Sequence, residues 1–411
     1  MADSEPSEIL LVNVSGQDKP GLMAMLTSTL ARYQARVLDI GQAVIHEELN
    51  LGMLVQVEAP VDEGDVRREL LHTARRMGVS ARFERVTAEG YRDWVANQGK
   101  SRYILTLLAN GISAEQLASV TGIIGRHGLN IDSVHRLSGR VPLDGVADAA
   151  RASVEMSVRG PRSDQRELKE ALFLAAGELT FDFSVQEDSV YRRNRRLVVF
   201  DMDSTLINAE VIDELAARHG VGAEVARITA AAMHGELDFE ESLRRRVRLL
   251  EGLPQQVLTE VADSVSVTEG TRRLVNSLRH FGYRTAIVSG GFDYVGRRLQ
   301  RALGIDDVFT NSLGVADGRL TGTVTGEVID AQRKADILVS LCAREEISLE
   351  QAIAIGDGAN DLPMLTAAGL GVAFHAKPAV RESAGHAISN FGLDSVLYLL
   401  GFSDREIAET Q

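Results

Sequence analysis

Two rhythms of apolar and polar residues alternate along the first half of the chain, a period of two that marks strands and a period of three to four that marks helices. Residues 9–40, ILLVNVSGQDKPGLMAMLTSTLARYQARVLDI, read as a strand, a Gly-rich turn, an amphipathic helix and the start of a second strand. Residues 103–134, YILTLLANGISAEQLASVTGIIGRHGLNIDSV, follow the same plan. Each copy continues with an alternating stretch, LGMLVQVEA (51–59) and ASVEMSVRG (152–160). A helical stretch follows, DVRRELLHTARRMG (65–78) and DQRELKEALFLAAG (164–177), and then a closing strand, SARFERV and LTFDFSV. Two copies of a βαββαβ module are expected, which is the ferredoxin-like plan.

After QEDSVYRRNRR (186–196), polar enough to read as a linker, the rhythm changes. Short, wholly apolar runs now end in polar or glycine residues and lead into helical patterns: LVVF before Asp201, TAIV before Ser289 and AIAI before Gly356. Such runs are parallel strands covered on both faces, so the second half is expected to be a Rossmann-like, doubly wound α/β domain. In open sheets of that kind, ligands sit outside the carboxyl ends of the strands, where all three polar clusters fall.

Residues 206–288 separate the first two clusters, far more chain than a strand-to-helix connection requires. Within them AEVIDELAARHG and DFEESLRRRVRLLEGLP have helical periodicity, with Leu243, Val247 and Leu250 on one stripe. An inserted helical cap is expected at about 207–268, and the whole chain divides into 1–95, 96–187 and 188–411.

Composition narrows the partners. Against 44 Lys and Arg stand 58 Asp and Glu in 411 residues, a formal charge of −14, which argues against nucleic acid or an anionic membrane as the main partner. The basic runs RRNRR (192–196) and RRR (244–246) are read as solvated charge. Cys342 is the single cysteine, so no internal disulfide can form and a reducing compartment is expected. The N-terminal MADSEPSEILL has neither the positive start nor the apolar core of a signal peptide, and no apolar run reaches the roughly 20 residues that span a bilayer. The cytoplasm is the expected location.

The chemistry is concentrated in LVVFDMDSTLI (197–207), where Asp201 and Asp203 follow a buried strand. An Asp-x-Asp pair alone is an ordinary turn feature. It gains meaning from SGG (289–291), Lys334 and GDGAND (356–361), which share its strand-end setting. If those strands are neighbours, Asp201, Asp203, Asp357 and Asp361 converge. Two unit charges about 4 Å apart repel by on the order of 4 kcal/mol at an effective dielectric near 20, so the group needs a cation, and a hard one such as Mg²⁺ suits oxygen ligands. Lys334, the Ser289 hydroxyl and the amides of Gly290 and Gly291, read as opening a helix, supply donors for an anion. Carboxylates, a hard cation and phosphate donors together point to phosphoryl transfer.

These motifs, in this order over about 197–400, resemble the haloacid dehalogenase superfamily of aspartate-nucleophile phosphatases. The resemblance implies Asp201 as nucleophile and Asp203 as general acid and base. It further implies that Mg²⁺ is held by Asp201, Asp357 and the backbone carbonyl of Asp203, with Asp361 and Asn360 orienting the metal's surroundings. Glu210, Met233, Phe239 and Arg246 resemble the cap residues of phosphoserine phosphatases, in which the Glu meets the substrate ammonium, the Arg its carboxylate, and the Met and Phe shield the site. Taken alone, Glu210 and Arg246 would be a solvated helix face and the other two core; Arg244, Arg245 and Arg248 compete with Arg246 on spacing. The substrate so implied is O-phospho-L-serine, hydrolysed to L-serine and phosphate as the last step of serine synthesis.

The two βαββαβ modules resemble ACT domains, a family of small-molecule-binding regulatory modules. That resemblance implies an effector site at the first turn, Gly16, Asp18 and Gly21, an amino acid such as serine as effector, and a homodimer or larger assembly. The second module carries Asn110-Gly111-Ile112-Ser113 at that place and lacks the Asp and the Pro-Gly. Two other readings stay open: a related enzyme acting on a different small phosphomonoester or passing the phosphoryl group to an alcohol, and an amino-acid sensor whose α/β domain no longer turns over. A response-regulator receiver would carry its acid pair and its acceptor Asp on different strands, and would lack the insert.

Overall fold

In a computed structural model of the protein, residues 8–58, 61–96, 101–140, 151–161, 165–234 and 236–410 are described. The chain divides into two compact units, Met1–Lys100 and Ser101–Gln411.

The first unit runs β1 (Glu8–Gln17), α1 (Leu22–Arg32), β2 (Arg36–Ile45), β3 (Glu48–Val57), α2 (Glu63–Met77), β4 (Ser80–Val86) and α3 (Ala88–Ala96). Its four strands lie in the order β2-β3-β1-β4, and β1 pairs antiparallel with both β3 and β4. Alternation along β1 and β3 puts Leu10, Val12, Val14, Leu51, Met53 and Val55 in the core, where they meet the apolar stripes of α1 and α2. The turn after β1 depends on glycine. Gly16 has φ +149°, and a Cβ there would stand 2.9 Å from a Val79 side-chain carbon, while Gly21 precedes α1 at φ +88°.

The second unit begins with β5 (Ser101–Asn110), α4 (Ala114–Arg126), β6 (Asn130–Arg136), β7 (Arg151–Gly160), α5 (Gln165–Leu179) and β8 (Asp182–Glu187). The order β8-β5-β7-β6 repeats that of the first unit's sheet, strand for strand. This module does not end at its closing strand. It is continuous with a sheet of eleven strands, through antiparallel pairing of β8 with a strand that carries His386 and Ala387. Of the run RRNRR, read from the sequence as solvated charge, Arg192 and Arg195 are instead buried, and Arg192 forms an ion pair with Glu155 of β7. A charged stretch that looked like a tether is packed against the module it follows.

The remainder starts with β9 (Leu197–Phe200), passes through an insert of four helices, α6 (Val211–His219), α7 (Gly222–Met233), α8 (Phe239–Arg248) and α9 (Gln256–Ser264), and continues as α10 (Thr271–His280) and β10 (Arg284–Phe292). Then come α11 (Asp293–Leu303), β11 (Asp307–Ala316), β12 (Arg319–Thr325), α12 (Ala331–Arg344), β13 (Ala352–Gly356), α13 (Leu362–Ala367) and β14 (Leu370–Phe374). The chain closes with α14 (Pro378–Ala384), β15 (His386–Ile388), α15 (Val396–Leu399) and α16 (Asp404–Ala408). Central strand β9 is wholly buried and pairs in parallel with β10 on one side and β13 on the other.

Chain enters and leaves the helical insert at one place, where Ile207 forms a β-bridge with Val267. Helix α8 starts where the Asp238 carboxylate accepts the Glu241 amide at 2.8 Å. Its outer face carries the pairs Glu240–Arg244 and Glu241–Arg245, and Leu243 and Val247 are buried on the inner face. Among the described residues, no helix is long and apolar enough to cross a membrane.

Candidate active site

The parallel pairing of β10, β9 and β13 brings the three polar strand ends side by side. The Asp201 amide donates to the Ile355 carbonyl at 2.8 Å, so the backbone is held as an extension of the sheet just where the carboxylate begins. Lys334, fully buried on the first turn of α12, places Nζ 2.9 Å from Asp201 Oδ1 and 2.7 Å from Asp361 Oδ1. The other oxygen of Asp361 accepts the Gly358 amide at 2.9 Å. Asp357 accepts a hydrogen bond from Thr205 Oγ1 at 3.0 Å. Carboxylate oxygens of Asp201, Asp357 and Asp361 all lie within 4.8 Å of one another.

One lysine does not balance so many acids. Burial, with Asp201 and Asp361 close by, pushes the Asp357 carboxyl up to about 7, although Thr205 works in the opposite direction. Burial and Asp201 likewise raise Asp361 in spite of its contact with Lys334. Asp203 is raised well above the usual carboxylate range by desolvation and by the charges of Glu210 and Asp201, and its Oδ1 has no hydrogen-bond partner among the described residues. Burial alone would lower Lys334, but Asp201 and Asp361 reverse this and raise it. Surplus negative charge on oxygen donors, with an orphaned carboxylate oxygen beside it, fits a hard divalent cation.

SGG lies at the end of β10. Gly290 and Gly291 were read as opening a helix; they belong to the strand, and α11 opens at Asp293 with Phe292 before it. The Gly291 amide donates to Ser289 Oγ at 3.0 Å, closing a tight turn. Both glycines leave room for close neighbours. A Cβ on Gly291 would stand 3.0 Å from Asp203 Oδ2, and one on Gly290 3.0 Å from Cζ of Phe239. The second contact brings the insert over the strand ends.

From the insert, Glu210 accepts the Ser204 hydroxyl at 2.8 Å. Among the clustered arginines, Arg244, Arg245 and Arg248 are exposed, whereas Arg246 is half-buried. Burial lowers its pKa, opposed by the charges of Asp213, Glu210 and Asp203, so this guanidinium faces the acids of the site. Its Nε donates to the Ser242 carbonyl at 3.4 Å. Of these four arginines, Arg246 alone lies on a partly buried face of α8. Met233 is the last residue of α7, and its side chain lies outside the described residues. Asn360 is half-buried beside Gly358.

In the first unit, the Asp18 amide donates to the Glu47 carbonyl at 2.8 Å, and Asp18 is exposed between Gly16 and Gly21. The equivalent turn in the second module is a helix cap, in which Ser113 and Gln116 bond each other's backbone amides. His375 Nε2 donates to the Phe391 carbonyl, 2.9 Å away, and the ring stacks on Phe374.

Sequence reasoning passed over Thr205, Ser204 and Asn311. The first two lie inside DMDST and carry hydroxyls that find Asp357 and Glu210. Asn311 is buried in β11, donating to the Gly290 carbonyl at 2.8 Å and accepting the Ile329 amide at 2.9 Å. It ties the SGG turn to the segment that leads into α12. A lone Asn in a strand gives no signal of that role.

Comparison with known proteins sets this geometry in context. Residues 195–369 match the family of haloacid dehalogenase-like hydrolases, and residues 8–84 match the ACT domain. A phosphoserine phosphatase of Streptomyces coelicolor is 42% identical over 409 residues, covering 99% of this chain and 96% of that protein. One of Mycobacterium tuberculosis is 39% identical over 97% of this chain and 94% of its own length. Among solved structures, a probable phosphoserine phosphatase from Vibrio cholerae superposes with a TM-score of 0.58 at 33% identity, over 76% of this chain and 90% of that one. A haloacid dehalogenase family hydrolase of Salmonella enterica serovar Typhi gives 0.62 at 32% identity, over 72% and 98%.

Proposed function

The chain belongs to the phosphoserine phosphatases, with a haloacid dehalogenase-like hydrolase domain and an ACT domain, and from that premise we propose that it hydrolyses O-phospho-L-serine to L-serine and phosphate through an aspartyl-phosphate on Asp201. The observation that carries the reading is the Lys334 bridge: a fully buried ammonium holds Asp201 and Asp361 together at 2.9 and 2.7 Å, beside the half-buried Asp203. Asp201, on the sheet extension, attacks phosphorus. Asp203, raised toward its protonated form, gives its proton to the departing serine oxygen and then takes one from the water that cleaves the acyl-phosphate. Lys334, Ser289, Gly290 and Gly291 receive the phosphate oxygens, with Asn360 at the rim.

Mg²⁺ would be held by Asp201, Asp357 and the backbone carbonyl of Asp203, with Asp361 behind them, and it supplies positive charge against the carboxylates and the phosphate oxygens. On the substrate's other end, Arg246 takes the carboxylate and Glu210 the ammonium. Phe239 and Met233 close the site against water, as part of a cap at about 207–268 on the catalytic domain 188–411. Residues 1–95 and 96–187 act as two ACT-like modules, the first with an effector turn at Gly16, Asp18 and Gly21. That turn would take an amino acid such as serine, in a dimer or larger assembly.

The test is Mg²⁺-dependent phosphate release from O-phospho-L-serine beside phosphothreonine, phosphoglycolate and p-nitrophenyl phosphate, with D201N as the blank. Preference for phosphoserine that vanishes in the variant is expected. Equal rates on all four esters would remove the substrate assignment.

A further inference from the structure

In the second unit, α5 and the start of β8 face α14 and the chain after β15 across a cavity of about 700 Å³ that is lined by none of the strand-end acids. Its walls are of two kinds. Phe173, Phe181 and Leu174 give an apolar side, and Leu174 is 73% exposed to it and to solvent. Lys169 and Arg381 give a cationic side.

Neither cation is neutralised. Among the described residues Lys169 has no ion pair or hydrogen bond; a Cβ on Gly385 would stand 2.8 Å from its Nζ, which places the ammonium at the end of α14. Burial pushes Lys169 down, with no acid close enough to oppose it. Arg381, one turn earlier on α14, spends Nη1 on the Ser389 hydroxyl at 3.2 Å, and its buried Nε has no partner.

Three acids line the cavity, and two of them are occupied. Asp182 accepts the Ser389 amide at 3.0 Å, the Asn390 amide at 2.9 Å and the Asn390 side chain at 3.0 Å. Glu170 pairs with Arg166 at 3.2 Å, and Glu382 is exposed. On β15 alongside, burial and then the charges of Lys169 and Arg195 push His386 well below its ordinary value.

We propose that this cavity binds a small organic carboxylate, the head held between Lys169 and Arg381 and an apolar tail lying on Phe173 and Phe181. Two unpaired cations beside an apolar wall match such a molecule and reject a cation or a neutral hydrocarbon. An occupant would bridge the second βαββαβ module and the hydrolase domain where they share the short β8–β15 pairing. The site is separate from both the strand-end acids and the first unit's effector turn, and it does not depend on the proposed reaction.

Phenylacetate is the probe, titrated calorimetrically into the full-length protein. One site per chain is expected, with affinity reduced about a hundredfold or more in K169A/R381A, since two charge-assisted contacts are lost. K169R/R381K should bind as the wild type does. Should the double alanine variant fail to reproduce the wild-type melting profile, K169Q/R381Q takes its place with the same expectation. No binding up to roughly 10 mM, equal affinity in wild type and the neutral variant, or equal binding of phenylethylamine would overturn the proposal. Inorganic phosphate that binds here in preference to phenylacetate would overturn the carboxylate assignment.

Discussion

The strand ends of the hydrolase domain and the helical insert above them both carry acids and bases, yet the two regions hold their charges differently. At the strand ends Lys334, Asp201 and Asp361 are almost wholly buried, locked by a sheet whose three central strands are parallel neighbours. In the insert, charge is spread over helix faces: Arg244 and Arg245 pair with glutamates one turn away in solvent, and Arg246 turns inward. Rigid burial favours chemistry, because reacting groups are preorganised and their pKa values displaced. The chain enters and leaves the helical layer at the Ile207–Val267 bridge, so on the proposed reading its inward contacts can differ while the strand-end groups stay in place.

This contrast implies that strand-end changes should cost turnover on every ester, whereas insert changes should discriminate between esters. D201N is expected to have the largest effect, a loss on the order of 10⁴-fold or more in kcat on phosphoserine and p-nitrophenyl phosphate alike, read by phosphate release. Retention of activity on either ester would break the contrast at its root. K334M comes next, with roughly 10²- to 10³-fold lost on both substrates, because a buried donor to the reacting charge disappears.

T205V removes only the hydroxyl that steadies Asp357, and about a tenfold loss is expected, partly recovered by raising Mg²⁺. A recovery equal in wild type and variant would remove Thr205 from the metal side of the site.

The smallest effect concerns stability. A carboxyl whose folded pKa is raised binds more protons folded than unfolded, so its contribution to stability falls as pH rises between the two values. For Asp357, held at about 7, that window runs from about 4 to about 7. Cation-free protein should therefore melt lower at pH 8 than at pH 5.5, with Mg²⁺ restoring more at pH 8. D357N should lose much of that dependence in a thermal melt. Equal Mg²⁺ stabilisation at both pH values would contradict the electrostatic account.

Much of this was legible in the sequence where local pattern and long-range partner agree. LVVF, TAIV and AIAI are buried parallel strands because both faces of each are covered, and their wholly apolar composition carries that information. The two βαββαβ modules were readable from periodicity, but the joining of β8 to β15 was not. β4 alternates between partly buried and exposed residues as a sheet-edge strand, while β8 is buried over five of its six residues, between β5 and β15. DFSVQE carries two charges to the three of ARFERV, too slight a cue to name a partner two hundred residues away.

RRNRR misled for a related reason: composition reports charge, and only packing reveals that Glu155 waits for Arg192. SGG was assigned to a helix start because glycines before a helical pattern suit one, and the strand runs four residues further than its apolar run TAIV. Asn311 was invisible, since its role depends on two backbone groups supplied by different segments.

The most direct test of the division between chemistry and selection is the kcat/KM of R246A on O-phospho-L-serine beside O-phosphoethanolamine, which lacks the carboxylate. A loss on the order of 10²-fold or more on phosphoserine is expected, with phosphoethanolamine changed by less than about threefold, as for a charged contact made to one substrate only. Equal losses on the two esters would mean that Arg246 serves the strand-end chemistry itself, and the insert would no longer be the layer that selects the substrate.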